Sequence, residues 1–138
     1  MSEVWFYLLA DASEATRQQF ICRFAEMAIK RQRPALILCE SAQQAELLDD
    51  KLWSDTSPTS FVAHSINFTC PAPIQLVTGE LPAQGDILLN LTDELLTVTG
   101  YQRIVEIINP DSREASRSRW RHYQQQGLTP ELKPVTPT

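Results

Sequence analysis

Apolar positions along the first fifty residues follow two alternating rhythms. Val4-Trp5-Phe6-Tyr7-Leu8-Leu9 is an unbroken, β-favouring apolar run, the pattern of a strand covered on both faces. After Ser13, an N-cap residue type, Phe20, Ile21, Phe24, Met27 and Ala28 recur at steps of three and four. That spacing predicts a helix reaching about Arg31. Pro34 halts helical continuation, and Ala35-Leu36-Ile37-Leu38-Cys39 reads as a second buried strand. Ser41 and Gln44 have capping-box spacing and open a second helix that turns Ala45, Leu48 and Leu52 inward. The β-α-β-α alternation predicts parallel strands joined by right-handed crossovers.

The second half is less regular. Pro58, Pro71 and Pro73 punctuate the stretch from Ser54 to Pro73, with a short apolar piece at Phe61-Val62. Ile74 to Thr78, Asp86 to Leu91 and Arg103 to Ile108 are three further strands, separated by turn chemistry at Gly79, Gly85 and Gly100. Thr92 to Thr99 holds room for a helical turn. Asn109-Pro110-Asp111 closes the last strand. Asp111 and Glu114 have the spacing of an acidic capping box for a final helix ending near Gly127. Beyond it, Pro130, Pro134 and Pro137 in a polar segment predict a frayed, flexible tail over residues 128–138. Residues 1–127 then form a single α/β domain, with no internal repeat and no dividing linker.

Composition narrows the class. The chain has 138 residues, 43% hydrophobic and 21% charged, enough for one core that buries roughly two-thirds of the unfolded surface. The apolar run at Val4 to Ala10 is too short to span a bilayer, and the N-terminus carries no leader pattern, so a cytoplasmic protein with no membrane contact is expected. Cys22, Cys39 and Cys70 include no CxxC pair and read as reduced thiols. A net charge of −5 argues against general nucleic-acid binding. That average hides an asymmetry: four of the twelve basic residues lie between Arg113 and Arg121, and no acid intervenes between Glu114 and Glu131.

Catalytic and cofactor motifs do not appear. The four glycines stand at 79, 85, 100 and 127, so neither GxGxxG nor a Walker-type loop can be written. The first strand leads through Ala10-Asp11-Ala12-Ser13 rather than a glycine-rich phosphate loop. There is no GxSxG elbow, and two histidines, His64 and His122, lack metal-ligand spacing. Asp49 and Asp50 are adjacent, do not share a helix face, and read as a solvated helix end. No cofactor, metal or catalytic residue is expected.

Two surfaces stand out instead. On the final helix, steps of three and four align Arg113, Arg117, Trp120, Arg121 and Gln124 in one stripe, while Ala115, Arg119, His122 and Tyr123 fall elsewhere. Guanidiniums flanking an indole suit an acidic peptide with an aromatic residue, because arginine forks bind carboxylates and tryptophan supplies apolar area. An ordinary solvated helix with Trp120 packed under the sheet edge fits the same spacing. The second surface surrounds Trp53 and Phe61, with His64 nearby, and reads either as core edge or as an apolar patch that seats a partner.

Several stretches together resemble the chi subunit family of bacterial DNA polymerase III. They are Trp5-Phe6-Tyr7-Leu8-Leu9, Leu48-Asp49-Asp50-Lys51-Leu52-Trp53 followed by Ser60-Phe61-Val62-Ala63-His64, Asp86-Ile87-Leu88-Leu89-Asn90-Leu91, and Arg117-x-Arg119-Trp120-Arg121-x-Tyr123-x-x-x-Gly127. The likeness runs from about Val4 to Gly127. It implies a three-layer, Rossmann-like fold with a mostly parallel central sheet, helices on both faces and no nucleotide chemistry. It also implies a non-catalytic bridge between the clamp-loader complex, through the psi subunit, and the acidic C-terminal tail of single-stranded DNA-binding protein, with DNA reached only indirectly. By that resemblance Arg117, Trp120 and Arg121, with Arg113 and Gln124 on the same stripe, receive the tail. Trp53, Phe61 and His64 face psi or an alternative helicase partner. Three positions depart from the family pattern: Ala63 replaces a proline before the histidine, the glycine-rich insertion after His64 is missing, and Trp120 replaces tyrosine or phenylalanine. Two other readings remain, an α/β enzyme with an unrecognised small-molecule or nucleotide site, and direct single-strand binding with Trp120 stacked on bases.

Overall fold

Ser13 begins the first helix as its residue type predicts. Its backbone is extended and its Oγ accepts from the Thr16 amide at 3.2 Å. The helix, α1 (Glu14–Lys30), follows the strand β1 (Glu3–Leu8) and leads into β2 (Ala35–Leu38). At Ser41 one arm of the capping box forms, Ser41 Oγ accepting from the Gln44 amide at 3.1 Å, while Gln44 Oε1 reaches one residue farther back and accepts from the Glu40 amide at 2.7 Å. From that cap runs α2 (Ala42–Ser54). There follow β3 (His64–Ile66), β4 (Ile74–Val77), β5 (Gly85–Asn90), β6 (Tyr101–Ile108), α3 (Arg113–Gln125) and β7 (Pro130–Pro134). The computed structural model describes residues 2–54, 63–96, 100–111 and 113–134.

All seven strands join one sheet in the order β3-β4-β2-β5-β6-β1-β7, and every pairing is parallel. Side chains alternate across the strands, so the sheet feeds two cores. On one face Ile21, Cys22, Ala25 and Ala28 of α1 and Ala45, Leu48 and Leu52 of α2 meet Ile37, Leu76, Leu89 and Val105. On the other, Trp120 and Tyr123 of α3 meet Val4, Phe6, Leu88 and Ile104. Three layers result, with helices on both faces, as expected.

Two elements depart from the sequence reading. The irregular stretch before Pro73 contains β3, whose three residues pair with β4. The tail expected to fray instead forms β7 over Pro130–Pro134, pairing with β1 from Val4↔Pro130 to Leu8↔Pro134. Proline tolerates this place because an edge strand leaves one row of backbone groups unpaired, so a missing N–H need not break a ladder bond. Gly127 makes the return possible: its φ of +83° is a left-handed helix end, and the Leu128 amide donates to Tyr123 O at 3.1 Å.

Candidate functional site

Each side chain of α3 takes its place from the helical period. Ser116, Arg119 and Tyr123, three and four apart, are buried against the sheet. Arg113, Arg117, Arg121 and Gln124 are exposed on the outward side. Trp120 lies at the boundary, half-buried, its ring tilted on Phe6 with centroids 5.0 Å apart. The indole thus packs on the sheet and also borders the stripe. Among the described residues no ion pair engages Arg113, Arg117 or Arg121. Leu132 of β7 is 56% exposed and, by register opposite Phe6, shares the α3 face of the sheet with exposed Leu8. The outward stripe thus adjoins an apolar strip contributed by β1 and the edge strand β7.

Beneath the stripe lies a polar cluster that the sequence did not reveal. Glu106 of β6, 1% exposed, accepts from Tyr123 Oη at 2.6 Å and from Asn90 Nδ2 at 3.0 Å, both at Oε2. Arg119 Nε stands 3.1 Å from Glu106 Oε1, a close charge contact whose N–H is not aligned as a hydrogen bond. Burial pushes the Glu106 carboxyl above its ordinary range, against the opposing pull of Tyr123, Asn90 and Arg119. Burial likewise raises Tyr123, with the Glu106 charge reinforcing it. Gln126 Nε2 donates to Leu96 O at 3.1 Å and His122 Nε2 lies 2.8 Å from the same oxygen, tying the segment after β5 to α3. A glutamate inside an apolar strand was the available signal, because such a residue is buried only with partners.

The second candidate surface is built at the end of α2. Trp53 is 61% exposed and rests on the His64 ring, centroids 4.8 Å apart. The His64 side chain is sealed, and its Nε2 lies 2.8 Å from Asp49 Oδ1. Asp49 is thus not merely a solvated helix end: one turn before Trp53 on α2, it holds the first residue of β3. Phe61 lies outside the described residues.

At the carboxyl ends of the strands, where α/β sheets commonly take ligands, the chain's own side chains close part of the space. Arg17 Nη2 donates to Leu91 O at 2.9 Å and lies 3.5 Å from Glu40. The turn after β1 is an Asx turn, Asp11 Oδ1 accepting from the Ser13 amide at 2.9 Å, not a glycine loop. Burial pushes the Cys39 thiol up to about 12, away from nucleophile chemistry. Among the described residues no group of three or more metal-ligating side chains gathers, and no helix is long and apolar enough to cross a membrane.

With this geometry in view, residues 1–131 match the family described as DNA polymerase III chi subunit, HolC. The chain belongs to the DNA polymerase III chi subunit family. The chi subunit of Pseudomonas aeruginosa is 34% identical over 132 residues, covering 92% of each chain. That of Haemophilus influenzae is 28% identical over 125 residues, 86% of each, and that of Escherichia coli 26% over 141 residues, 93% of this chain and 95% of the relative. Among solved structures, S. cerevisiae Dbp5 bound to RNA and ADP BeF3 superposes with a TM-score of 0.63 at 12% identity. A DEAD box protein from Methanococcus jannaschii gives 0.61, also at 12%. The chain covers 41% and 42% of those two proteins, and the likeness is one of fold.

Proposed function

We propose that the protein is a non-catalytic accessory subunit of DNA polymerase III that tethers the enzyme to the acidic C-terminal tail of single-stranded DNA-binding protein. The observation that carries this reading is the outward stripe of α3, where Arg113, Arg117 and Arg121 have no ion-pair partner among the described residues beside a half-buried Trp120. A tail of that kind brings carboxylates for the guanidiniums and a terminal aromatic ring for the apolar strip of Trp120, Leu132 and Leu8. Gln124, next along the stripe, supplies a neutral hydrogen-bonding end. Two or three charge-assisted bonds and one aromatic anchor correspond to micromolar affinity, about −8 kcal/mol.

The Trp53 and His64 surface then serves the clamp-loader side, taking the psi subunit or an alternative helicase partner, with Phe61 as its third member. Exposed Trp53 is the anchor in this reading, since large aromatics concentrate binding energy at interfaces. The cytoplasm is the compartment such a role requires.

Isothermal calorimetry with the tail peptide tests the proposal. Arg117→Ala is expected to weaken binding at least several-fold while thermal stability barely changes, because the side chain is exposed. Affinity is also expected to fall as salt rises, since exposed charges are screened over about 8–10 Å. Unchanged peptide binding in Arg117→Ala removes this site. An oligonucleotide that competes with the peptide for the same stripe favours direct single-strand binding instead.

A further inference from the structure

A deep groove lies on the opposite side of the sheet from α3. It has a volume of about 630 Å³ and runs between α1 and the face of β5, β6 and β1. Tyr7, Leu9 and Val105 make its floor, and Phe20, Phe24 and Met27 line its α1 wall. Met27 is 44% exposed although it falls on the apolar period of the helix.

A simple width argument explains why this lane is open. Strands lie about 4.8 Å apart, so seven span about 29 Å. Packed helices lie about 8–10 Å apart, so α1 and α2 cover only about 20 Å of that face. What remains is about the width of one helix. Sheets of parallel strands are ordinarily covered on both faces, and here one helix is missing from the layer.

The charges around the lane are of one sign. Arg23, Arg31, Arg33 and Arg103 line it, and no aspartate or glutamate does, in a chain whose net charge is −5. Asp86 holds Arg33 at 2.6 Å and Glu3 holds Arg103 at 3.0 Å, from outside the lining. Arg23 has only a 3.7 Å contact with Glu26, and Arg31 has no ion pair among the described residues. At the far wall Trp5 is held between Arg103, 3.5 Å from its ring centroid, and Lys133 at 4.6 Å, and its buried Nε1 has no hydrogen-bond acceptor.

We infer that this groove receives an amphipathic helix of a partner protein, its bulky apolar stripe against Phe24 and Met27 and its carboxylates opposite Arg23 and Arg31. The occupant is helical because the vacant lane has helix width, and acidic because the unpaired charge along the α1 wall is arginine. The site is separate from the α3 stripe, with the sheet between them.

The probe is a synthetic helical peptide with Leu and Phe along one stripe and Glu elsewhere, compared with the same peptide carrying Lys for Glu. Calorimetry is expected to register binding of the Glu peptide alone. Met27→Asp is expected to weaken it at least tenfold and Arg31→Ala several-fold. Both residues are exposed, so the fold survives either change, which thermal unfolding checks. Arg117→Ala is expected to leave this binding unchanged. No binding of the Glu peptide, equal binding of the Lys peptide, or indifference to Met27→Asp overturns the inference. Loss of binding in Arg117→Ala assigns the peptide to α3 and overturns it as well. Concentration-dependent dimerisation abolished by Met27→Asp gives the groove to a second copy of the chain.

Discussion

Trp120 and Glu106 illustrate how differently two residues of one surface behave. Trp120 joins packing and recognition in one ring, so its replacements should separate the two roles. Trp120→Phe keeps an aromatic face on Phe6 and is expected to hold both stability and tail-peptide affinity within a few-fold. Trp120→Ala removes half-buried apolar area and is expected to cost about 1–2 kcal/mol of stability and at least tenfold in affinity, read by denaturant unfolding and calorimetry. Glu106 bears on stability through its proton. Because the folded state raises its pKa, the fold retains that proton to higher pH than the unfolded chain does. Its contribution is therefore fully present below the ordinary value of 4.5 and is lost as pH rises through the raised one. Glu106→Gln should abolish this component, so that the variant's melting temperature changes less than the parent's as pH rises above 4.5. Asp86 has the opposite sign. The Arg33 hydrogen bonds lower its pKa, so its contribution is present above the unfolded value and is lost as acid protonates it. Arg33→Ala is expected to flatten that acid limb of the melting-temperature profile.

At the scale of elements, α3 is held by its buried side as much as by its caps. Arg119→Met leaves Glu106 without its cation and is expected to cost about 3–5 kcal/mol, the usual penalty for stripping one partner from a buried pair. Hydrogen exchange should locate the loss in α3 and in the segment joined to it at Leu96, while α1 keeps its protection. The sequence exposed the outward half of this helix and hid the inward half. Period alone aligned Arg113, Arg117, Trp120, Arg121 and Gln124, because exposure follows from spacing. It could not assign Arg119 to the interior, since a buried arginine depends on a carboxylate from β6 that is near only in three dimensions. The same limit explains β3 and β7. Each is a short edge strand stabilised by one neighbour, so its own composition carries little signal, and the prolines that suggested disorder are compatible with an edge. By contrast α1, α2, β1, β2, β4, β5 and β6 carry local evidence, in caps and in continuous apolar runs, and their positions were legible. The capping box that Asp111 and Glu114 suggested turns on residue 112, which lies outside the described residues.

For the molecule as a whole, the closing strand decides how the sheet ends. Removing residues after Leu128 is expected to bare the outer edge of β1, lower the melting temperature by about 5 °C or more, and promote self-association visible by light scattering. The fold class was readable from the alternation of strands and helices, and the seven-stranded parallel sheet with helices on both faces agrees with it. The pairing of β1 with β7 was not, because it joins residues from the two ends of the sequence. That pairing also has a temporal consequence. β1 belongs in the interior of the sheet, yet one of its neighbours is about a hundred residues away and the other is farther still. Until β6 and β7 have been synthesised, Val4 to Leu8 has nowhere native to go, and a nascent chain of this kind benefits from being shielded while it waits.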